Sequence, residues 1–182
     1  MDFSLTSEQE SIRDSIERIC RDFDDAYWLK KDREGGFPFD FFDAMAANGW
    51  LGICIPEAYG GSGLGVTEPN TGLNTTQLKL RAVRKGDRYV VDGQKVWIST
   101  AQVADKILLL ARTTPLEEVK RPTEGLSLFY TDFDRSRIRV HEIEKMGRKV
   151  VDSNELFFEG FEIPVEDRIG EEGKGFEYIL HG

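Results

Sequence analysis

Few side chains in this chain have the type and spacing that carry out chemistry. There are two histidines, His141 within a strand pattern and His181 near the end. Neither stands with a cysteine or carboxylate cluster at metal-ligand spacing, so no metal ligand is assigned. Ser99 has no His–Asp pattern that would make it a nucleophile. Glu117-Glu118 and Glu171-Glu172 read as solvated loop charges. No pair of carboxylates stands out as an acid/base couple, and no catalytic residue is assigned. Tyr59-Gly60-Gly61-Ser62-Gly63-Leu64-Gly65 is rich in glycine. A dinucleotide fingerprint needs GxGxxG between a strand and a helix, and this run has neither the spacing nor a following helix pattern. Asn74-Thr75-Thr76 matches the glycosylation acceptor pattern, a coincidence where no secretory signal is visible. Two segments remain, Val66-Thr67-Glu68-Pro69-Asn70-Thr71-Gly72 and Gly93-Gln94-Lys95-Val96-Trp97-Ile98-Ser99-Thr100. Read alone, the first is a strand end with a Pro-Asn turn. The second is a strand carrying an ordinary half-buried tryptophan.

The elements around them change character along the chain. Thr6 and Gln9 fit a capping box. Ile12, Ile16, Ile19, Cys20, Phe23 and Tyr27 then recur at helical spacing, with Gly35-Gly36 as a break. Pro38 is placed to open a second helix carrying Phe41, Phe42 and Met45, closed by Gly49. Trp50 to Ile55 is a short apolar run. From Val66 the period becomes alternating. Leu78, Leu80 and Ala82 share a face before a turn at Lys85-Gly86-Asp87. Tyr89 to Val91 resume a strand, Asp92-Gly93 mark a hairpin turn, and Val96 to Ile98 follow. Residues 106–111 read as a buried strand, and 126–133, 138–143 and 155–163 as three more. Many strands joined by short turns predict an antiparallel sheet pair or barrel. Residues 176–180 look like the first turn of a helix.

The 182 residues are 40% hydrophobic and 31% charged, an ordinary globular composition. The net charge of −9 argues against a nucleic-acid binder or a basic membrane-surface protein. Six basic and thirteen acidic side chains fall in residues 1–65, so the acidity is concentrated there. No apolar run is long enough to span a bilayer. The two cysteines, Cys20 and Cys54, sit among apolar residues and read as reduced core thiols of a cytoplasmic protein.

Taken together, the segments resemble the acyl-CoA dehydrogenase family. Val66-Thr67-Glu68-Pro69-Asn70-Thr71-Gly72-Leu73-Asn74 is similar to its V-T-E-P-x-x-G-S-D run, and Gly93 to Thr100 to its G-x-K-x-W-I-[ST]-[NS] run. Met146-Gly147-Arg148, Glu155-Leu156-Phe157-Phe158, Ile163-Pro164 and Gly170-Glu171-Glu172-Gly173-Lys174-Gly175-Phe176 follow in the family's order. The resemblance implies an α+β fold, an N-terminal helical segment followed by an antiparallel β-barrel or sandwich-like middle domain. The expected boundaries are 1–65 for an incomplete helical domain, 66–170 for the β-domain and 171–182 for the start of a C-terminal helical domain.

It also implies FAD as cofactor and an acyl-CoA thioester as substrate, with an electron-transfer flavoprotein as acceptor and a homotetramer or homodimer as assembly. Carried over by position, Val66 and Thr67 would meet the pyrimidine end of the flavin, Trp97 would pack on its face or edge beside Ile98, and Ser99 would donate near N5. Gly72 would let backbone approach the ligand, and Leu73 takes the place of a serine that touches the pantetheine arm. Leu73 cannot donate that bond, which leaves room for a flavin monooxygenase or oxidase on the same fold, or for a non-catalytic binding module. The resemblance further implies helices between Gly65 and Val66 that this sequence lacks, so a chain break is expected at that join. The family's glutamate base belongs to a helical domain beyond Gly182. Glu171, Glu172 and Glu177 do not match its motif, and the chain alone is expected to lack the α-proton abstraction.

Overall fold

The computed structural model describes residues 5–48, 63–147, 149 and 151–180. It divides into two compact units, Met1–Gly61 with Lys145–Val150, and Ser62–Glu144 with Val151–Gly182. The expected helix end at Gly49, the run from Trp50 to Ile55, Cys54 and the glycine run up to Ser62 lie outside the described residues.

The first unit holds three helices, α1 (Ser7–Cys20), α2 (Asp25–Glu34) and α3 (Phe39–Ala47). The capping box forms as its residues predict. The Thr6 hydroxyl accepts from the Gln9 N–H at 3.2 Å, and the Gln9 side chain accepts from the Thr6 N–H at 2.9 Å. The helical period through Tyr27 does not continue as one helix. The chain turns after Cys20, and Asp24 caps a separate α2 by accepting from the Tyr27 N–H at 2.9 Å. Edge-on aromatic pairs pack α2 and the turn before it on α3, Trp28 with Phe41 at 5.0 Å and Phe23 with Phe41 at 5.1 Å. Cys20 is exposed rather than a core thiol, because Ile19 occupies the inward position beside it.

The second unit is one eight-stranded sheet. Its strands are β1 (Gly63–Gly65), β2 (Arg81–Lys85), β3 (Arg88–Ser99), β4 (Lys106–Arg112), β5 (Leu126–Asp132), β6 (Ile138–Glu142), β7 (Ser153–Pro164) and β8 (Arg168–Ile169). The spatial order is β6-β7-β3-β2-β4-β5-β8, with β1 on β4. The ladders are antiparallel except β1–β4 and the single β2–β4 bridge, which are parallel. The expected α+β fold is therefore present. The tight turn at Gly86-Asp87 joins β2 to β3. Asp92-Gly93 is not a turn. β3 runs straight through it, with a register shift against β7 between Val91 and Gly93. Gly93 has φ +140°, and a Cβ there would lie 3.0 Å from the Leu80 Cα. The glycine serves close strand approach and not reversal. β1 ends at Gly65, next to Val66 in the sequence.

β4 is buried on both faces, as its unbroken apolar run predicts. Tyr89, Val91, Leu109, Phe129, Leu156 and Ile163 form the main core. A second cluster, Leu78, Leu110, Leu126 and Leu128, is covered by Phe176, Tyr178 and Ile179 of the short helix α4 (Gly175–Ile179). Glu172 is more than a solvated loop charge. It accepts from the buried Tyr89 hydroxyl, which also receives the Arg168 guanidinium at 2.8 Å. Arg112, 5% exposed, lies at the end of β4 and donates to the carbonyls of Thr76, Leu78, Thr114, Pro122 and Glu124. Among the described residues no helix is long and apolar enough to cross a membrane.

Candidate functional site

The two segments singled out in the sequence meet in the fold. The Val96 N–H donates to the Thr67 carbonyl at 2.9 Å, which lays the 66–71 segment against β3. Pro69 and Asn70 form a tight turn closed by the Thr71 N–H on the Glu68 carbonyl at 3.0 Å. Beyond it Asn74 accepts from the Thr76 N–H at 3.3 Å and the Thr76 hydroxyl at 2.6 Å, an Asx turn opening a short 3-10 segment.

On the β3 side the register against β7 slips between Lys95 and Ile98, placing one extra residue on β3. Such a bulge re-aims side chains. Lys95 and Val96 both turn inward, and Trp97 turns out with 60% of its surface exposed. This corrects the half-buried expectation for Trp97. Its φ is +61°, and Thr100 shares that value; they are the two non-glycine residues with positive φ among those described. Left-handed backbone at a bulky residue costs about 1–2 kcal/mol, and such strain concentrates at ligand sites.

The strain is held from below. Asp152 accepts from the Thr100 N–H at 3.0 Å and the Gln102 N–H at 3.2 Å. The buried Asn154 donates to the Ile98 carbonyl at 3.0 Å and accepts from the Gln102 amide at 2.7 Å. Ser99 is thereby fixed at the end of β3 with its side chain exposed. Ile98 points into the core at 3% exposure, so only its backbone faces the site. Val66 and Thr67 are half-buried. Gly72 is exposed, and nothing lies within 4 Å of where its Cβ would be. Leu73 is fully exposed. No hydrogen bond among the described residues ties Gly72 or Leu73 to β3.

Two buried features were missed by sequence reasoning. Lys95, 0% exposed, donates to the Val66 carbonyl at 2.9 Å and to Glu68 Oε1 at 3.0 Å. Glu68 also accepts from the N–H groups of Lys79 at 2.7 Å and Leu80 at 3.0 Å. Burial pushes the Lys95 ammonium down to about 8, against the opposing pull of Glu68. The signal was the alternation itself, since Tyr89, Val91 and Lys95 share one strand parity and a charge on the inward face requires a buried partner. The second is Thr71, whose buried hydroxyl has no partner among the described residues. A buried hydroxyl without a partner calls for an explanation, such as a bound water or ligand.

Comparisons with known proteins give the family. Residues 63–161 match the acyl-CoA dehydrogenase middle domain, and residues 6–71 match the acyl-CoA dehydrogenase N-terminal domain. The chain belongs to the acyl-CoA dehydrogenase family. It is 42% identical over 115 residues to cyclohex-1-ene-1-carbonyl-CoA dehydrogenase of Syntrophus aciditrophicus, covering 63% of this chain and 27% of that protein. It is 25% identical to the probable acyl-CoA dehydrogenase YdiO of Escherichia coli over 239 residues, covering 100% of this chain and 62% of that protein. The crystal structure of acyl-CoA dehydrogenase from Geobacillus kaustophilus superposes with a TM-score of 0.87 at 23% identity, covering 100% of this chain and 63% of that one. The chain thus spans less than two thirds of the length of these relatives. The YdiO match extends over 239 residues against the 182 of this chain, a surplus of 57.

Proposed function

We propose that the protein containing this chain carries out FAD-dependent α,β-dehydrogenation of an acyl-CoA thioester to the trans-2-enoyl-CoA. The observation that carries this reading is the junction of the 66–71 segment with the bulge of β3, which sets backbone donors beside an exposed, strained Trp97. Those residues fit a flavin. Trp97 offers a flat apolar surface to a flat ring system. The Thr67 N–H has no acceptor among the described residues, and the exposed Ser99 hydroxyl stands at the end of the same strand. When bound, FAD supplies acceptance of the substrate's β-hydrogen as hydride. A carboxylate outside this chain takes the α-proton, and the new double bond forms between the two carbons. Val66 and Thr67 would hold the flavin's pyrimidine end, Gly72 would leave room for backbone approach, and Ser99 would donate near N5. Ile98 contributes through its backbone.

The surplus in the YdiO alignment fits a chain that lacks internal helices, and the family's likeness puts them at the Gly65–Val66 join. By the family's likeness, the acceptor is an electron-transfer flavoprotein and the assembly a cytoplasmic homotetramer or homodimer. The exposed Leu73, followed by an Asn74 spent on its own turn, favours a second reading in which the thioester arm is held differently, as in an oxidase or monooxygenase. One experiment separates them. The purified chain is titrated with FAD, then given acyl-CoA and air. Flavin binding supports the site, and its absence favours a non-catalytic binding module. In the longest polypeptide that contains this chain, bleaching by acyl-CoA with slow reoxidation in air supports the dehydrogenase, and fast reoxidation supports the oxidase.

A further inference from the structure

We infer that Lys95 is a positioning residue which aims and polarises the Thr67 N–H toward the cofactor. The inference deepens the flavin reading and rests on it. Burying a charge pair needs a reason other than stability, because well-packed neutral side chains of similar shape are often as stable or more so. The geometry supplies one. Lys95 Nζ reaches the Val66 carbonyl from the buried side of β3. The peptide between Val66 and Thr67 is planar and trans, as no cis bond occurs. Its C=O and N–H therefore point in opposite directions. Holding the carbonyl inward on the ammonium turns the Thr67 N–H outward, where it meets no acceptor among the described residues.

The ammonium also draws charge along that peptide. A hydrogen bond to an ionised donor is roughly twice as strong as a neutral one, and linked bonds polarise one another in a low-dielectric interior. The Thr67 N–H becomes a better donor to negative charge. Glu68 keeps the buried pair neutral overall, and its bonds from Lys79 and Leu80 anchor it to the segment entering β2. The next peptide is fixed to the same strand through the Thr67 carbonyl and the Val96 N–H. One buried ammonium thus sets the donor and ties it to the bulge that presents Trp97. Preorganised donors act most where charge develops, so the effect falls on the reduced flavin more than on the oxidised one.

The test uses the full chain and FAD itself. Lys95→Met alone strands a buried Glu68 carboxylate and is expected to damage the fold. The double variant Glu68→Gln/Lys95→Met removes both charges while keeping similar volume, and its fold is checked by circular dichroism. Two measurements follow, the amide shift of Thr67 by NMR without flavin, and the affinity for oxidised and for dithionite-reduced FAD. The inference expects the Thr67 amide proton to move upfield. It also expects reduced FAD to lose about tenfold in affinity relative to oxidised FAD, a fall of about 30 mV in midpoint potential for a two-electron couple. A folded double variant with an unmoved Thr67 amide, or with the parent's ratio of reduced to oxidised affinity, overturns it. A parent chain that binds no FAD while its Thr67 amide still responds to the double substitution overturns the flavin reading and leaves the aiming of the N–H standing.

Discussion

Trp97 provides a test in which strain and ligand binding can be read apart. Its φ of +61° is a conformation that side chains with a Cβ adopt at a cost of roughly 1–2 kcal/mol, and that glycine adopts freely. At an ordinary strand position alanine is more stable than glycine by roughly 0.5–1 kcal/mol. At position 97 the order should invert. Trp97→Ala and Trp97→Gly both delete the ring and therefore lose the same packing, so their difference isolates the backbone. Glycine is expected to be the more stable by about 1 kcal/mol, which for a chain of this length is about 2–4 °C in Tm. Thermal and urea melts of the two variants measure this directly. Both should lose FAD affinity alike, by roughly threefold to tenfold, from an aromatic contact worth about 0.5–1.5 kcal/mol beyond its area. An alanine variant as stable as the glycine variant would refute the strained conformation. An alanine variant with the parent's FAD affinity would refute the platform role.

Three further outcomes are expected. Asp152→Ala leaves the N–H groups of Thr100 and Gln102 without their acceptor, at about 1–3 kcal/mol for each group that water does not reach; a urea midpoint equal to the parent's would contradict this. Leu73→Ser should leave Tm within about 2 °C, since the side chain is fully exposed, yet tighten CoA-thioester binding in calorimetry if the segment contacts the pantetheine arm. Stability should also respond to Lys95 at alkaline pH. Its folded value of about 8 lies below the ordinary 10.5, so the unfolded chain binds more protons between the two. This group's contribution therefore rises with pH across that window. The urea midpoint of the parent relative to Glu68→Gln/Lys95→Met should increase from pH 7.5 to 10, and a constant difference would be the contrary result.

Much of this architecture can be read from residue order, and the misreadings share one cause. Thr6 with Gln9, the Gly86-Asp87 turn and the continuous apolar run of β4 are local signals, and each is realised in the fold. Asp92-Gly93 looks like a hairpin turn because Asx-Gly commonly is one. Only the approach of Leu80, the residue before β2, shows that the glycine is needed for space inside a long strand. The separate α2 was legible in Asp24, whose cap was masked by an apolar period that runs on to Tyr27. The site shows the same division. The two motifs can be picked out from the sequence, but their meeting through Thr67 and Val96 is a non-local hydrogen bond. The outward turn of Trp97 follows from a register slip against β7 that no pattern within β3 records.

Arg112 has a consequence for the order in which the sheet domain assembles. Its guanidinium gathers five carbonyl oxygens from the stretches on either side of β4, from Thr76 and Leu78 before it and from Thr114, Pro122 and Glu124 after it. Five lone-pair groups facing one another repel until the cation stands among them, much as the oxygen ligands of a metal site are gathered by their ion. Both loops rest in the fold on the side chain that β4 places between them. The strand therefore acts as a template for its flanking connections, and the loops should gain protection from hydrogen exchange during refolding only after β4 does.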